Sequence, residues 1–231
     1  MTRAREMEEV DRRGAVLHPP GYYSMLNPGH LYLMQRREEA LLRALREHGL
    51  QPLSARRILD LGCGGGEEMV RHVLYGADPR AVVGVEIQFP RLAGLKQRFR
   101  GLLALQADAS RLPFADASFD IVSQATMMTL VLHADVRARI AAEMVRVCKP
   151  SGAILWFDYR YSNPANRDAR GIGAAEIRRL FPGCEISLRA VSLAPPLARR
   201  LVRLSVTLCR VVEWCSPLRT HYLAVIRPGA A

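Results

Sequence analysis

Arg57-Ile-Leu-Asp60-Leu-Gly-Cys-Gly-Gly-Gly-Glu67-Glu68 is a short apolar run that ends in a glycine-dense turn. Ile58 to Leu61 reads as a buried strand, and a helix is expected from near Glu67. Between them Gly62, Gly64, Gly65 and Gly66 leave few Cβ atoms, so the backbone can take positive φ and a ligand can press against it. The spacing is Asp60-x-Gly62-x-Gly64-x-Gly66. A dinucleotide fingerprint, G-x-G-x-x-G, needs glycine at position 67, where Glu67 stands, and a helix start that hosts a pyrophosphate. Glu67 and Glu68 suit the helix dipole but repel phosphate. The expected ligand is nucleoside-like, carries no phosphate and has room for a cation.

Further apolar runs follow at intervals that suit an alternating α/β chain: Val82-Val-Gly-Val-Glu86-Ile-Gln88, Leu102-Leu-Ala-Leu-Gln-Ala-Asp108-Ala109, Ser118-Phe-Asp-Ile-Val-Ser-Gln124 and Pro150-Ser-Gly-Ala-Ile-Leu-Trp-Phe-Asp158. Together with the glycine turn these resemble, in order, the strands and first motif of the class I S-adenosylmethionine-dependent methyltransferases, small-molecule and metal-independent type. The resemblance covers residues 56–160 closely and 161–228 loosely. It implies S-adenosylmethionine as cofactor, Glu86 accepting the ribose hydroxyls, and Asp108 receiving the adenine amino group. It also implies a Rossmann-like, doubly wound, mostly parallel sheet of seven strands, the last inserted antiparallel.

Length and composition agree. The 231 residues can bury one substantial core, and 49% of them are hydrophobic, which excludes wholesale disorder. The five cysteines (Cys63, Cys148, Cys184, Cys209, Cys215) form no C-x-x-C pair and read as free thiols rather than a metal site. Met1 to Glu9 lacks the apolar core of a signal peptide, and no uncharged run reaches membrane-spanning length, so a cytoplasmic location is expected. The net charge of +11 points toward nucleic acid. However, 31 of the 33 basic residues are Arg, a bias that codon usage alone would produce, and they are scattered in pairs. Nucleic acid is therefore the weaker expectation.

The chain divides into a charged, mobile stretch over 1–20 and a single domain over 21–228. Within that domain, 21–55 reads as a helical lid or cap, 56–160 as the cofactor-binding core, and 161–228 as the substrate-side loop, helices and last strands. Helices are expected near 30–49, 67–75, 90–99, 134–148, 174–181 and 195–214, and late strands near 185–193 and 221–227.

Ligands of open α/β sheets bind beyond the carboxyl ends of the strands. That rule selects Asp60, Gly62, Cys63, Gly64 and Gly66 at the first strand end, Glu86 with Ile87 at the second, Asp108 with Ala109 at the third, and Gln124 at the fourth. Asp60 is expected to act indirectly, orienting the loop or meeting the amino group of the methionine moiety. In the resembled group a segment ahead of the first strand closes over the cofactor. Here Tyr22 to Asn27 offers aromatic cover, and Gln35 or Arg36 would reach the methionine carboxylate. On the substrate side stand Met127, Asp158, Tyr159, Tyr161 and Asn163. His133 is the one candidate base, set against a plain helix-start histidine.

The features that would mark amino-directed nucleic-acid, catechol or protein-arginine methyltransferases are absent. The fourth strand runs into Gln124-Ala-Thr-Met-Met128, and Asp158 is followed by Tyr159, so no metal ligand set is expected. The acceptor is expected to be a small or carrier-linked molecule, with O-methylation preferred. Met127, Met128, Leu130, Val131 and Leu132 would form an adaptable apolar wall. The alternatives are an RNA methyltransferase and a cofactor-binding protein without activity. A helix at 195–214 would carry Arg199, Arg203 and Arg210 on one side and Leu201, Leu204, Leu208 and Val211 on the other. Such a helix packs on a core, meets a partner copy, or makes peripheral contact with a membrane.

Overall fold

Ile58–Leu61 (β1) is buried at all four positions, as a central strand covered on both faces requires. In the computed structural model, which describes residues 20–163 and 166–229, β1 pairs in parallel with Val82–Glu86 (β2) on one side and Phe119–Ala125 (β4) on the other. The sheet continues with Leu103–Gln106 (β3), Cys148–Tyr159 (β5), Glu185–Leu193 (β6) and Arg219–Arg227 (β7), in the order β3-β2-β1-β4-β5-β7-β6. β7 lies between β5 and β6 and runs antiparallel to both. The order reverses at β1, which opens a crevice at the carboxyl ends of β1 and β4. The seven-stranded, mostly parallel sheet with an antiparallel last strand is as expected. Residues 1–19, expected to be mobile, lie outside the described residues.

The helices are Pro28–Glu47 (α1), Glu67–Leu74 (α2), Phe89–Arg98 (α3), Ala134–Val147 (α4), Ala174–Leu180 (α5), Pro195–Leu201 (α6) and Val206–Glu213 (α7). Strand alternation divides the core into two faces. Leu59, Leu61, Val122 and Trp156 pack with Ile140, Met144 and Val147 of α4. Ile58, Ile121, Leu155 and Phe157 pack with Leu41 and Leu45 of α1 and Met69 of α2. A third, smaller cluster joins Tyr32 and Leu33 of α1 to Leu193, Ala198 and Cys209.

One expected element is corrected. The helix at 195–214 is two short helices, because the chain turns at Val202–Ser205. Ser205 is extended and its hydroxyl accepts from the Leu208 amide, so it caps a new helix rather than continuing the old one. The expected faces change with it. Arg199 is half-buried, while Leu204 and Val211, expected on a packed face, are exposed.

Candidate functional site

Gly62, Gly64 and Gly66 all have positive φ (+67°, +51° and +88°), which explains three glycines at alternate positions of the turn after β1. At Gly62 there is a second reason: a Cβ would lie 2.5 Å from Cγ of Met127. The turn therefore packs directly against the segment that follows β4. The Gly64 amide donates to Oε2 of Glu86 (3.0 Å), and the Gln88 amide donates to Oε1 (2.9 Å). Glu86 thus ends β2 buried, its carboxylate aimed by two backbone amides. Beyond β3, Oδ1 of Asp108 accepts from the amide and hydroxyl of Ser110 (2.8 Å each).

Gly62, Glu86 and Asp108 border an open cavity of about 780 Å³, a volume that includes space open to solvent. Gly62, Glu86, Ile87, Asp108 and Ala109 line one part of it, and Thr126, Met127, Leu130 and Val131 another. The titratable side chains lining it, among the described residues, are Glu86, Asp108 and Arg91. A nucleoside with a cationic tail fits this donor set, because a buried carboxylate held by amides keeps acceptor capacity for a diol. It also fits the close approach that glycine at position 62 permits.

The other expected residues lie elsewhere. Asp60 and Ser123, paired in register across β1 and β4, point to the α1–α2 face rather than into this cavity. There they meet Arg37, Glu68 and His72 around a second, smaller cavity that Gln124 and Ala125 also line. The Ser123 hydroxyl donates to Oδ1 of Asp60 (3.0 Å), while Oδ2 is buried without a hydrogen bond. Burial, and then the nearby charge of Glu68, push the Asp60 carboxyl up to about 8. Burial pushes the His72 imidazole down to about 4. Cys63 is buried against Gly84 and Met69, and burial raises its thiol pKa. Oε1 of Gln124 accepts from the amides of Met127 (3.2 Å) and Met128 (3.4 Å), so it shapes the turn after β4.

The substrate-side candidates separate. Met127 lines the large cavity. Asp158 is fully buried and accepts from the amides of Thr129 (3.1 Å) and Tyr159 (2.8 Å), and burial holds its carboxyl up at about 6. It ties the end of β5 to the turn at Met128–Leu130. Tyr159 lies against His221 (ring centroids 4.0 Å). Tyr161 and Asn163 are exposed. His133 is exposed at the start of α4, makes no side-chain cap, and lines neither cavity.

Three further corrections concern the helices around the site. Arg36 does not reach toward the cavity; its Nε donates to Glu213 (2.8 Å) and a second nitrogen contacts Glu39. Gln35 is exposed. Glu68 does not present its charge at the helix start, because Arg37 pairs with it through both Nη atoms. The charge that faces solvent at this helix start is that of Glu67, whose exposed carboxylate contacts Arg98 (2.9 Å).

Sequence reasoning missed two features. Thr126 lines the large cavity at φ +57°, a strained conformation for a β-branched residue, held by its amide bond to the Phe157 carbonyl (2.8 Å). The second is an aromatic cluster at the carboxyl end of β5. Tyr22 and Tyr23 pack edge-on (4.9 Å), Tyr23 meets His30 (5.7 Å), and the Arg199 guanidinium lies 3.6 Å above the Tyr22 ring. The electrostatic influence of Tyr22, Tyr23 and Arg199 reaches Tyr159, whose hydroxyl burial pushes up to about 12. The aromatic pair at 22–23 was legible as cover. Its partners, 130 to 200 residues away in sequence, were not.

Known proteins resemble this chain in sequence and in fold. A family profile described as a methyltransferase domain matches residues 59–156. The ubiquinone biosynthesis O-methyltransferase of Agrobacterium fabrum is 31% identical over 185 residues, covering 74% of this chain and 69% of that one. The phthiotriol/phenolphthiotriol dimycocerosates methyltransferase 1 of Mycobacterium ulcerans is 30% identical over 132 residues, 55% of this chain and 46% of that one. The chain thus spans about half the length of the mycobacterial relatives it matches. Among solved structures, a putative sarcosine dimethylglycine methyltransferase from Galdieria sulphuraria superposes with a TM-score of 0.61 at 17% identity, covering 84% of this chain and 86% of that one.

Proposed function

We propose that this chain, which belongs to the class I S-adenosylmethionine-dependent methyltransferases, moves a methyl group to an oxygen of a small or carrier-linked acceptor. The observation that carries this reading is one cavity whose lining changes from polar, at Glu86 and Asp108, to apolar, at Met127, Leu130 and Val131. An O-methyltransferase among the relatives supports oxygen as the acceptor atom.

When bound, S-adenosylmethionine supplies an electrophilic methyl group on a sulfonium, so the protein's share is placement and dryness. Glu86 would accept hydrogen bonds from the ribose hydroxyls, and Asp108 would accept one from the adenine amino group. Gly62, Gly64 and Gly66 let the backbone approach the cofactor, with Asp60 and Gln124 holding the strand ends from below. Met127, Leu130 and Val131 exclude water from the reacting side. The acceptor enters at the carboxyl ends of β4 and β5, between Met127 and the aromatic cluster around Tyr159. Segment 21–55 acts as the cap of this entrance. Asp158 is engaged by two amides, which suits a role in holding the turn rather than in moving a proton.

Charge speaks less for RNA than the total suggests. Arg37, Arg137 and Arg146 bond to acids or carbonyls of the fold, which uses their charge internally. The test is turnover of a labelled methyl donor with cell extract. Label in an extractable small molecule is expected. Label in RNA, or no turnover despite cofactor binding, would replace this reading with one of the other two.

A further inference from the structure

The surface of residues 203–214 leaves apolar side chains in water where a folded helix pair would ordinarily hide them. Leu204 is 77% exposed, Val211 53% and Trp214 79%. Their exposure is not a shortage of packing on α7, since Cys209, Val212 and Glu213 supply its inward side. Thr207, Arg210, Val211 and Trp214 recur at helical spacing on the outward side. The turn at Val202–Ser205 adds Arg203 and Leu204 to the same exposed stretch.

The charge on this face has one sign. Arg200, Arg203 and Arg210 are exposed, and between residues 195 and 218 the chain has one acid, Glu213. Glu213 is buried and engaged by the Tyr32 hydroxyl (3.0 Å) and Arg36 (2.8 Å). Among the described residues an acid from outside this stretch, Glu39, lies 3.7 Å from Arg210. Exposed aliphatics, an exposed tryptophan and interleaved arginines form the pattern of an interfacial membrane surface. A second copy of this chain suits it poorly, because a two-fold contact sets the same patch against itself and brings like charges together.

The face is joined to the segment that starts at Tyr22. Nη1 of Arg199 on α6 donates to the Tyr22 carbonyl (3.0 Å). The segment so held carries three more exposed apolar residues, Tyr23, Met25 and Leu26, the last 94% exposed. Tyr22 and Tyr23 are the same residues whose influence reaches Tyr159.

We propose that the 203–214 face, with the 23–26 rim beside it, rests on an anionic lipid bilayer and brings the entrance near Tyr159 to the membrane surface. Docking does not depend on what the enzyme methylates, so it is tested without turnover. Trp214 reports it directly, because the other tryptophan, Trp156, is fully buried.

The full chain is titrated with vesicles of phosphatidylcholine alone and of phosphatidylcholine with phosphatidylglycerol. A blue-shifted emission and co-sedimentation are expected with the anionic vesicles, weakening as salt rises. Trp214→Phe should abolish the shift. Arg203→Glu with Arg210→Glu should weaken binding by an order of magnitude or more, since one arginine near an anionic surface is worth roughly fivefold. Retained cofactor affinity in each variant shows that the fold is intact. Equal or absent binding to both vesicle types overturns the proposal. So does a concentration-dependent dimer that Leu204→Glu converts to monomer, which would make this face a contact between copies.

Discussion

Both Nη atoms of Arg37 lie 2.5 Å from the carboxylate oxygens of Glu68, a side-by-side ion pair that joins α1 to α2. The Arg37 guanidinium also lies 4.4 Å from the centroid of the Phe157 ring, and His221 stacks on that ring (4.8 Å). The pair therefore ties α1 to the sheet next to the glycine turn. Both side chains keep some exposure (11% and 19%), so removing one partner should cost between about 1 kcal/mol, as for an exposed pair, and the roughly 3–5 kcal/mol of a fully buried one. Glu68→Ala should lower stability by that order in chemical denaturation. A loss below about 1 kcal/mol would show that water already screens the pair.

Asp60, beside that pair, gives stability an unusual pH dependence. Its folded carboxyl titrates at about 8, far above an unfolded aspartate, so the folded state keeps a proton that the unfolded chain has released. Stability from Asp60 is fully present below about pH 4 and is lost as pH rises toward 8. His72 and His221, pushed by burial to about 4 and about 3, act in the opposite sense, adding stability as pH rises to their unfolded value of roughly 6.5. Asp158, at about 6, follows Asp60 below that value. Between pH 6.5 and 8 only Asp60 remains, and it should cost about 2 kcal/mol across the window. Denaturation at several pH values should show this decline in the wild type and its absence in Asp60→Asn. A flat wild-type profile would sink the assignment.

Most of the sheet was legible because β1, β2 and β4, buried along most of their length, read as apolar runs, and polar or glycine positions (Gly62, Glu86, Gln124) stand at or beside their carboxyl ends. The polar end of the large cavity was legible for the same reason: Gly62, Glu86 and Asp108 sit at those ends. Side-chain direction was not. Asp60 is adjacent in sequence to the turn, yet strand alternation points it to the opposite face of the sheet from Leu59 and Leu61. The break at Val202–Ser205 escaped notice because an apolar helical period runs straight through it; the capping serine at 205 was the available signal. The spent charge of Glu68 and Arg36 depends on tertiary partners that no local pattern carries.

Glu86 carries the clearest prediction for the cofactor. Its carboxylate is already aimed by the Gly64 and Gln88 amides, so a bound diol meets an acceptor that needs no reorganisation. Each charge-assisted bond is worth roughly 1.5–3 kcal/mol. Glu86→Ala should weaken S-adenosylmethionine binding at least about tenfold in calorimetry. Unchanged affinity in a folded variant would rule out the end of β2 as the ribose site.

Gly62 and Met127 should behave as a coupled pair. Alanine at 62 brings a Cβ within 2.5 Å of Met127 Cγ and also forces an L-residue to φ +67°. The second effect alone costs roughly 1–2 kcal/mol. Gly62→Ala should therefore lose more than that, and adding Met127→Ala should restore only the part due to Cγ, because Cβ of residue 127 would still lie 2.9 Å away and the backbone strain would remain. A double-mutant cycle by denaturation measures the difference. Additive losses would mean that the turn after β1 and the segment after β4 adjust independently.

His133 tests whether the protein moves a proton at all. The residue is exposed at the start of α4 and lines neither cavity. A general base in place contributes about 10²–10⁴-fold. If the protein contributes placement alone, His133→Ala should reduce turnover by less than about a hundredfold and leave cofactor affinity unchanged. The pH profile separates the two cases further, because loss of a base removes an ionisation from kcat that loss of an exposed helix-start residue does not. A fall near 10⁴-fold with intact binding would mean that the turn from Met127 to His133 closes inward over the acceptor. In that event the exposed histidine is the base, and the positioning view fails.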